Sequence, residues 1–199
     1  MNPLVPVLCL ATGAALASTF APAPEPGAQE GMKEMMEKAA RWTQPGENHA
    51  FLQRFLGRWD IEIRFFMGGQ PTPPEKGTSE GRWLIDGRWL QLDWNGSMLG
   101  MKAQGTSLIG YDNFKMSFVS TSVTSGDTAM VHAEGDLTQD KQSLLMYGTL
   151  DEYLTGEHDK MVKYVWRFVS DDKIVLEIHD LPIGEQNTKV VEITYTRQK

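Results

Sequence analysis

Four histidines stand where backbone geometry could give them chemistry: His49, His132, His158 and His179. His132 has Glu134 two positions on, and His179 has Glu177 two positions back. In an extended strand such pairs share one face. An imidazole oriented by a carboxylate suits a metal or haem site. The same alternation also builds an ordinary solvent-facing polar surface. Ile174, Leu176 and Ile178 form the apolar face opposite His179, which favours an outward imidazole. His158 lies in the loop Gly156-Glu157-His158-Asp159 and reads as solvated, whereas His49 sits in a helical segment and reads as a capping or packing residue.

A second set is aromatic. Tyr164, Trp166 and Phe168 alternate along one segment, and Tyr195 shares a face with Val191 and Ile193 in another. Such faces would line an interior and suit an elongated or aromatic apolar ligand, or fill that interior outright. Trp89, Gln91 and Asp93 alternate with Leu90, Leu92 and Trp94. Each face carries a tryptophan, so either set could point inward, and an inward Gln91 and Asp93 would orient a ligand. Gly96-Ser97-Met98-Leu99-Gly100 puts its serine in the wrong place for a nucleophile elbow. There is no H-E-x-x-H, phosphate loop or dinucleotide fingerprint. No residue nominates a reaction, and the reading leans away from an enzyme.

The elements that would position these residues come next. The chain has 199 residues, 41% of them hydrophobic, which is ordinary globular composition. A net charge of −7 argues against a nucleic-acid binder working by phosphate neutralisation. Residues 3–17 are apolar and small, too few to span a bilayer, which needs about 20 residues. They end in Ala15-Leu16-Ala17, the pattern of a signal-peptidase site, although no Lys or Arg precedes the run. Residues 1–17 are therefore expected to be a signal peptide, directing a mature chain without an integral membrane segment to the periplasm or beyond. The lone cysteine, Cys9, would leave with it. Residues 18–30, with Pro22, Pro24 and Pro26, read as a Pro/Ala-rich linker, and residues 31–199 as one domain.

That domain opens with a helical lead over residues 31–56. Met32, Met35, Met36, Ala39 and Ala40 recur at helical spacing over a predicted helix at 31–43. Thioethers are soft ligands for copper(I), but the spacing is what helix packing requires, and docking on the body is the reading taken. A second helix is expected from Glu47 to Leu56. The period then changes to two: Trp59, Ile61, Ile63 and Phe65 alternate with charged residues. Further strands are expected near 76–85, 88–95, 102–111, 115–124, 128–137, 142–151, 160–170, 173–181 and 188–197. Asp86-Gly87 predicts a two-residue type I′ hairpin. About ten short-looped antiparallel strands favour an all-β, up-and-down barrel, because closure removes the edges. A two-sheet sandwich would show longer crossing connections.

Gly57-Arg58-Trp59, after a short helix, resembles the G-x-W feature of calycins, the lipocalin and fatty-acid-binding superfamily. The resemblance implies that Trp59 packs at the closed end under an Arg from the last strand, here Arg197. Residues 45–197 more specifically resemble the DUF1579 family, through Pro45-Gly46-Glu47-Asn48-His49, Leu56-Gly57-Arg58-Trp59, Asp86-Gly87-Arg88-Trp89-Leu90, Gly110-Tyr111-Asp112-Asn113 and Glu192-Ile193-Thr194-Tyr195-Thr196-Arg197. That family brings no established activity.

The favoured expectation is an exported, non-enzymatic barrel for a small apolar or amphipathic ligand. The candidate binding residues are Trp89, Gln91, Asp93, Tyr164, Trp166, Phe168 and Tyr195, with Gly57, Trp59 and Arg197 structural. One alternative is a haem or metal barrel using His132 or His179, which the likeness to nitrobindin-like calycins implies. Another is an interaction module whose Met-rich helix docks on a partner or a second copy. No cofactor is required by the sequence.

Overall fold

The computed structural model describes residues 26–152, 156–181 and 188–199. The expected signal peptide and Cys9 lie outside the described residues. The chain forms two compact units, Met1–Ala40 and Arg41–Lys199.

Helix α1 spans Pro26–Thr43. It starts five residues before the predicted helix, so Pro26 to Glu30 are helical rather than linker. Proline suits a first helical position because its missing N–H has no partner there anyway. Met32, Met35 and Met36 of its apolar stripe are all exposed. No helix among the described residues is long and apolar enough to cross a membrane.

In the second unit, the end of α1 supplies Trp42, which stacks on Phe114 with ring centroids 4.8 Å apart. The Asn113 side-chain amide donates to the Trp42 and Gln44 carbonyls, at 3.2 and 2.9 Å. Helix α2, Glu47–Phe51, follows, and a 3-10 turn at Leu52–Phe55 completes the predicted second helix. His49 Nδ1 accepts from the Gly46 N–H at 3.1 Å, tying the helix start to its own first turn. Its ring meets Tyr111 edge-on at 5.7 Å. Burial, and then the charge of Arg88, lower the His49 pKa below that of a free imidazole.

Then come the strands: β1 Gly57–Met67, β2 Gln70–Pro71, β3 Glu75–Ile85, β4 Trp89–Met98, β5 Met101–Asp112 and β6 Ser117–Thr124. They continue as β7 Met130–Leu137, β8 Ser143–Glu152, β9 Glu157–Ser170, β10 Lys173–Asp180 and β11 Thr188–Arg197. Each pairs antiparallel with its successor, β2 being a short flap on β1 with β3 pairing directly to β1. β11 returns to β1, with Trp59 opposite Arg197 and Ile63 opposite Ile193. The sheet is thus a closed ten-stranded antiparallel barrel with one extra strand, and the sandwich is excluded.

The sharp hairpin lies elsewhere than expected. At Ile85–Arg88 the Arg88 N–H bonds to the Ile85 carbonyl, but only Gly87 has a positive φ, so this turn is not type I′. Leu99 and Gly100 both have positive φ, at 54° and 78°, between the paired Met98 and Met101. That is the type I′ geometry, with an unfavourable residue, Leu99, in its first position.

Inward side chains separate the barrel into two halves. At one end Leu52, Phe55, Trp59, Phe118, Leu144, Phe168 and Ile174 are at most 3% exposed. α2 and the 3-10 turn supply the plug: Phe55 meets Trp166 and Phe168 edge-on at 5.1 and 5.0 Å. Trp59 Nε1–H donates to the Phe55 carbonyl at 3.0 Å. Gly81 lies so close beneath the plug that a Cβ there would fall 2.1 Å from the Phe55 oxygen.

Arg197 locks this end. Its guanidinium sits 4.0 Å over the Trp59 ring and donates to the carbonyls of Leu56 at 2.6 Å, Asp171 at 2.9 Å and Arg54 at 3.3 Å. Gly57, at φ +104°, admits it, since a Cβ would lie 2.8 Å from Arg197 Nη1.

Candidate functional site: the barrel cavity

The other half of the barrel is not filled. A cavity of about 220 Å³ lies among the inward side chains of nearly every strand. Its shape follows from residue size. β9, β10, β11 and β1 contribute large groups: Tyr164, Trp166, Leu176, Ile178, Ile193, Tyr195, Ile63 and Phe65. β5, β6 and β7 contribute small ones: Ser107, Ser120, Ser122 and Ala133. These four are neighbours through the register, Ser107 opposite Ser122 and Ser120 opposite Ala133. Big side chains on one wall do not meet partners of matching size on the other, and the gap is the cavity. Trp94, Leu92 and Met98 close the remaining side.

Polar groups on the lining are neutral. Ser107 and Ser122 share a hydrogen bond of 2.8 Å. The Tyr164 and Tyr195 hydroxyls and the Trp166 indole N–H have no hydrogen-bond partner among the described residues. Burial raises the Tyr164 phenol to about 12 and pushes Tyr195 up as well, so both stay protonated at neutral pH. Among the described residues, no Asp, Glu, Lys, Arg or His lines the cavity.

The barrel sorts the sequence candidates. Tyr164, Trp166 and Tyr195 line the cavity together. Phe168 is also inward, but at the plugged end, where it packs on Phe51 and Phe55 and under the Arg54 guanidinium. Trp89, Gln91 and Asp93 face outward, which removes them from the interior. Leu90 and Leu92, at 0% and 4% exposed, are the inward residues of β4. Each tryptophan of β4 lies over a glycine of β5, Trp89 over Gly110 on the outside and Trp94 over Gly105 on the inside. Asp93 accepts from Gln91, Thr106 and Arg82. Partial burial opposes its ionisation, yet those bonds outweigh it and keep its pKa below the usual value.

Both strand histidines are also outside. His132 Nδ1 shares a hydrogen bond of 2.9 Å with Thr121 Oγ1. His179 Nε2 lies 3.3 Å from Glu177, which also pairs with Arg167 at 3.0 Å and Lys189 at 3.5 Å. Burial disfavours the Glu177 charge, but these partners hold it ionised and its pKa low. No three His, Cys, Asp or Glu side chains among the described residues are grouped to hold a metal ion.

Sequence reasoning missed Ser107, Ser120, Ser122 and Ala133. The signal was present in Ser117-Phe118-Val119-Ser120-Thr121-Ser122-Val123-Thr124, a strand with small residues at successive inward positions.

Comparison with known proteins agrees with this architecture. A family model described as a protein of unknown function (DUF1579) matches residues 44–197. No curated protein matches the chain. The crystal structure of Rv2717c from M. tuberculosis is similar in fold, with a TM-score of 0.55 and 10% identity over 78% of this chain and 100% of that one. The S-type phycobiliprotein lyase CPES from Guillardia theta aligns with a TM-score of 0.49 and 11% identity, over 75% of this chain and 92% of that one.

Proposed function

Because the chain belongs to the DUF1579 family of proteins of unknown function, we propose a function from its interior: the barrel holds a small apolar or amphipathic molecule and does no chemistry on it. One observation carries this reading, the unfilled cavity of about 220 Å³ lined mainly by aliphatic and aromatic side chains, with four Ser and Thr hydroxyls. Apolar cavities of about 150 Å³ stay dry and take up benzene, so this one accommodates a single ring with a short chain. It falls below the 300–1,000 Å³ of common drug-sized pockets. The lining offers hydroxyls and an indole, with no nucleophile and general base side by side among the described residues. The apolar leader ending at Ala15-Leu16-Ala17 supports a place of action outside the cytoplasm.

The test is a titration of the full-length purified protein with butylbenzene, a neutral single-ring probe with a short chain, followed by isothermal titration calorimetry. Saturable one-to-one binding is expected. Ala133→Leu, which puts a larger side chain into the void, should abolish it while the circular dichroism spectrum stays native. Absence of saturable binding, or binding indifferent to Ala133→Leu, refutes the reading.

A further inference from the structure

The polar groups in the cavity have a direction. A Trp indole N–H can only donate, and Trp166 is 6% exposed with its N–H unpartnered among the described residues. Tyr195, 4% exposed, has a hydroxyl with no partner there either. Neither atom is among the fully enclosed polar atoms that lack a partner, so each keeps accessible surface, and both residues line the cavity. Their rings are 5.6 Å apart, which sets the two donors on one stretch of wall. Tyr164 stands two residues before Trp166 on the same inward face of β9. Three donors therefore belong to the large-residue wall of a cavity whose other polar groups include the Ser107, Ser120, Ser122 and Thr124 hydroxyls. Leaving such donors unpaired in an apolar site is costly, and an acceptor on the ligand removes that cost.

Charge restricts the acceptor further. No cation lines the cavity among the described residues. Residues 153–155 and 182–187 contain no Lys or Arg in their sequence. A carboxylate entering the cavity would lose its hydration without gaining an ionic partner, a penalty that neutral donors do not offset.

We propose that the cavity selects an uncharged apolar molecule bearing a carbonyl-type acceptor, such as a ketone or ester, held by Trp166, Tyr195 and Tyr164, and that it rejects carboxylates of the same size. The proposal rests on the ligand-binding reading above and deepens it. It makes this barrel a poor carrier of ionised fatty acids.

Three ligands of matched size separate the possibilities: 4-phenylbutan-2-one, butylbenzene and 4-phenylbutanoate, titrated at pH 7 by isothermal titration calorimetry. The ketone should bind about tenfold more tightly than butylbenzene, as expected for one added hydrogen bond to a buried donor. The carboxylate should bind more weakly than either. Tyr195→Phe and Tyr164→Phe keep the rings and remove the donors. They should bring the ketone down to the affinity of butylbenzene and leave butylbenzene unchanged. Trp166→Phe, which also shrinks the ring system, provides a further comparison should one of these variants fold poorly, read as the ratio of ketone to butylbenzene affinity. The proposal falls if the carboxylate binds as well as the ketone, or if the donor-deleting variants leave ketone affinity intact while butylbenzene still binds. If none of the three binds, the ligand-binding reading falls with it.

Discussion

The two halves of one barrel are built from the same alternating strands and behave as opposites. At the plugged end, inward aromatic residues meet partners of their own size, and every polar group of the plug that matters is satisfied: Trp59 on Phe55, Arg197 on three carbonyls, His49 on Gly46. At the other end, large residues face serines, and three donors have no partner among the described residues. Close packing and satisfied hydrogen bonds stabilise the first half. The second half gives up both and keeps space instead. Binding sites commonly carry this kind of local cost, supported by a well-packed remainder.

The largest expected break in this contrast is Phe55→Ala. Removing the plug's central ring should cost about 3–5 kcal/mol, read as a lower urea midpoint. Ser122→Ala, in the open half, should shift it by less than about 1 kcal/mol, the usual net worth of one hydrogen bond. Comparable losses at both sites would show that the halves are energetically alike. Next is Arg197→Met, which keeps the apolar stem but deletes the fork to three carbonyls, with an expected loss of about 1–3 kcal/mol. Lysine at the same position should not restore it, because an ammonium cannot reproduce a planar fork.

A smaller effect, in the other direction, is expected at the turn between β4 and β5. Leu99 occupies a left-handed conformation at φ 54° and is substantially exposed. Leu99→Asn should raise stability by roughly 0.5–1 kcal/mol, because asparagine tolerates that region far better. Probe binding should be unchanged. The smallest is a pH dependence located in the plugged half. The native His49 pKa is lowered, so the unfolded chain binds the proton more readily than the folded one. Stability from this residue is complete above the unfolded value of about 6.5 and declines as pH falls through it towards the native value. Urea midpoints at pH 7.5 and 5.5 should show the decline, and His49→Gln should flatten its share of the slope. An unchanged slope would remove His49 from the plug's energetics.

Most of the architecture was legible before any coordinates. Period-two patterning with short polar turns marks nearly every strand within a few residues, because one face of each strand must be apolar to form the barrel core. Pairing Trp59 with Arg197 fixed the facing of β11, and the inward set Val191, Ile193 and Tyr195 followed. The facing of β4 did not follow, since Trp89 and Trp94 occupy opposite faces. Only the burial of Leu90 and Leu92 in the closed barrel resolves that, and it depends on what packs behind them, which is not written in β4 alone. The cavity was hidden for the same reason. Ser107, Ser120, Ser122 and Ala133 come from three separate segments, each with an unremarkable small residue. Their adjacency across β5, β6 and β7 is what leaves a hole. The Leu99-Gly100 turn escaped notice because leucine is a poor marker for the conformation it adopts there.

The pairing of β11 with β1 has a kinetic side. Arg197 reaches the Leu56 carbonyl across 141 positions of sequence, whereas every other adjacent pair of strands in the barrel is joined by a local hairpin. Nine of the ten seams can zip up progressively, but the tenth must bring together segments from opposite ends of the domain, and its loop-closure entropy is the largest in the fold. Until that seam forms, both partners are bare edges open to pairing with other chains. The Arg197 fork over Trp59 thus acts as the clasp of a bracelet. Weakening it should lengthen the time the chain spends unclasped, adding aggregation during refolding to the loss of equilibrium stability.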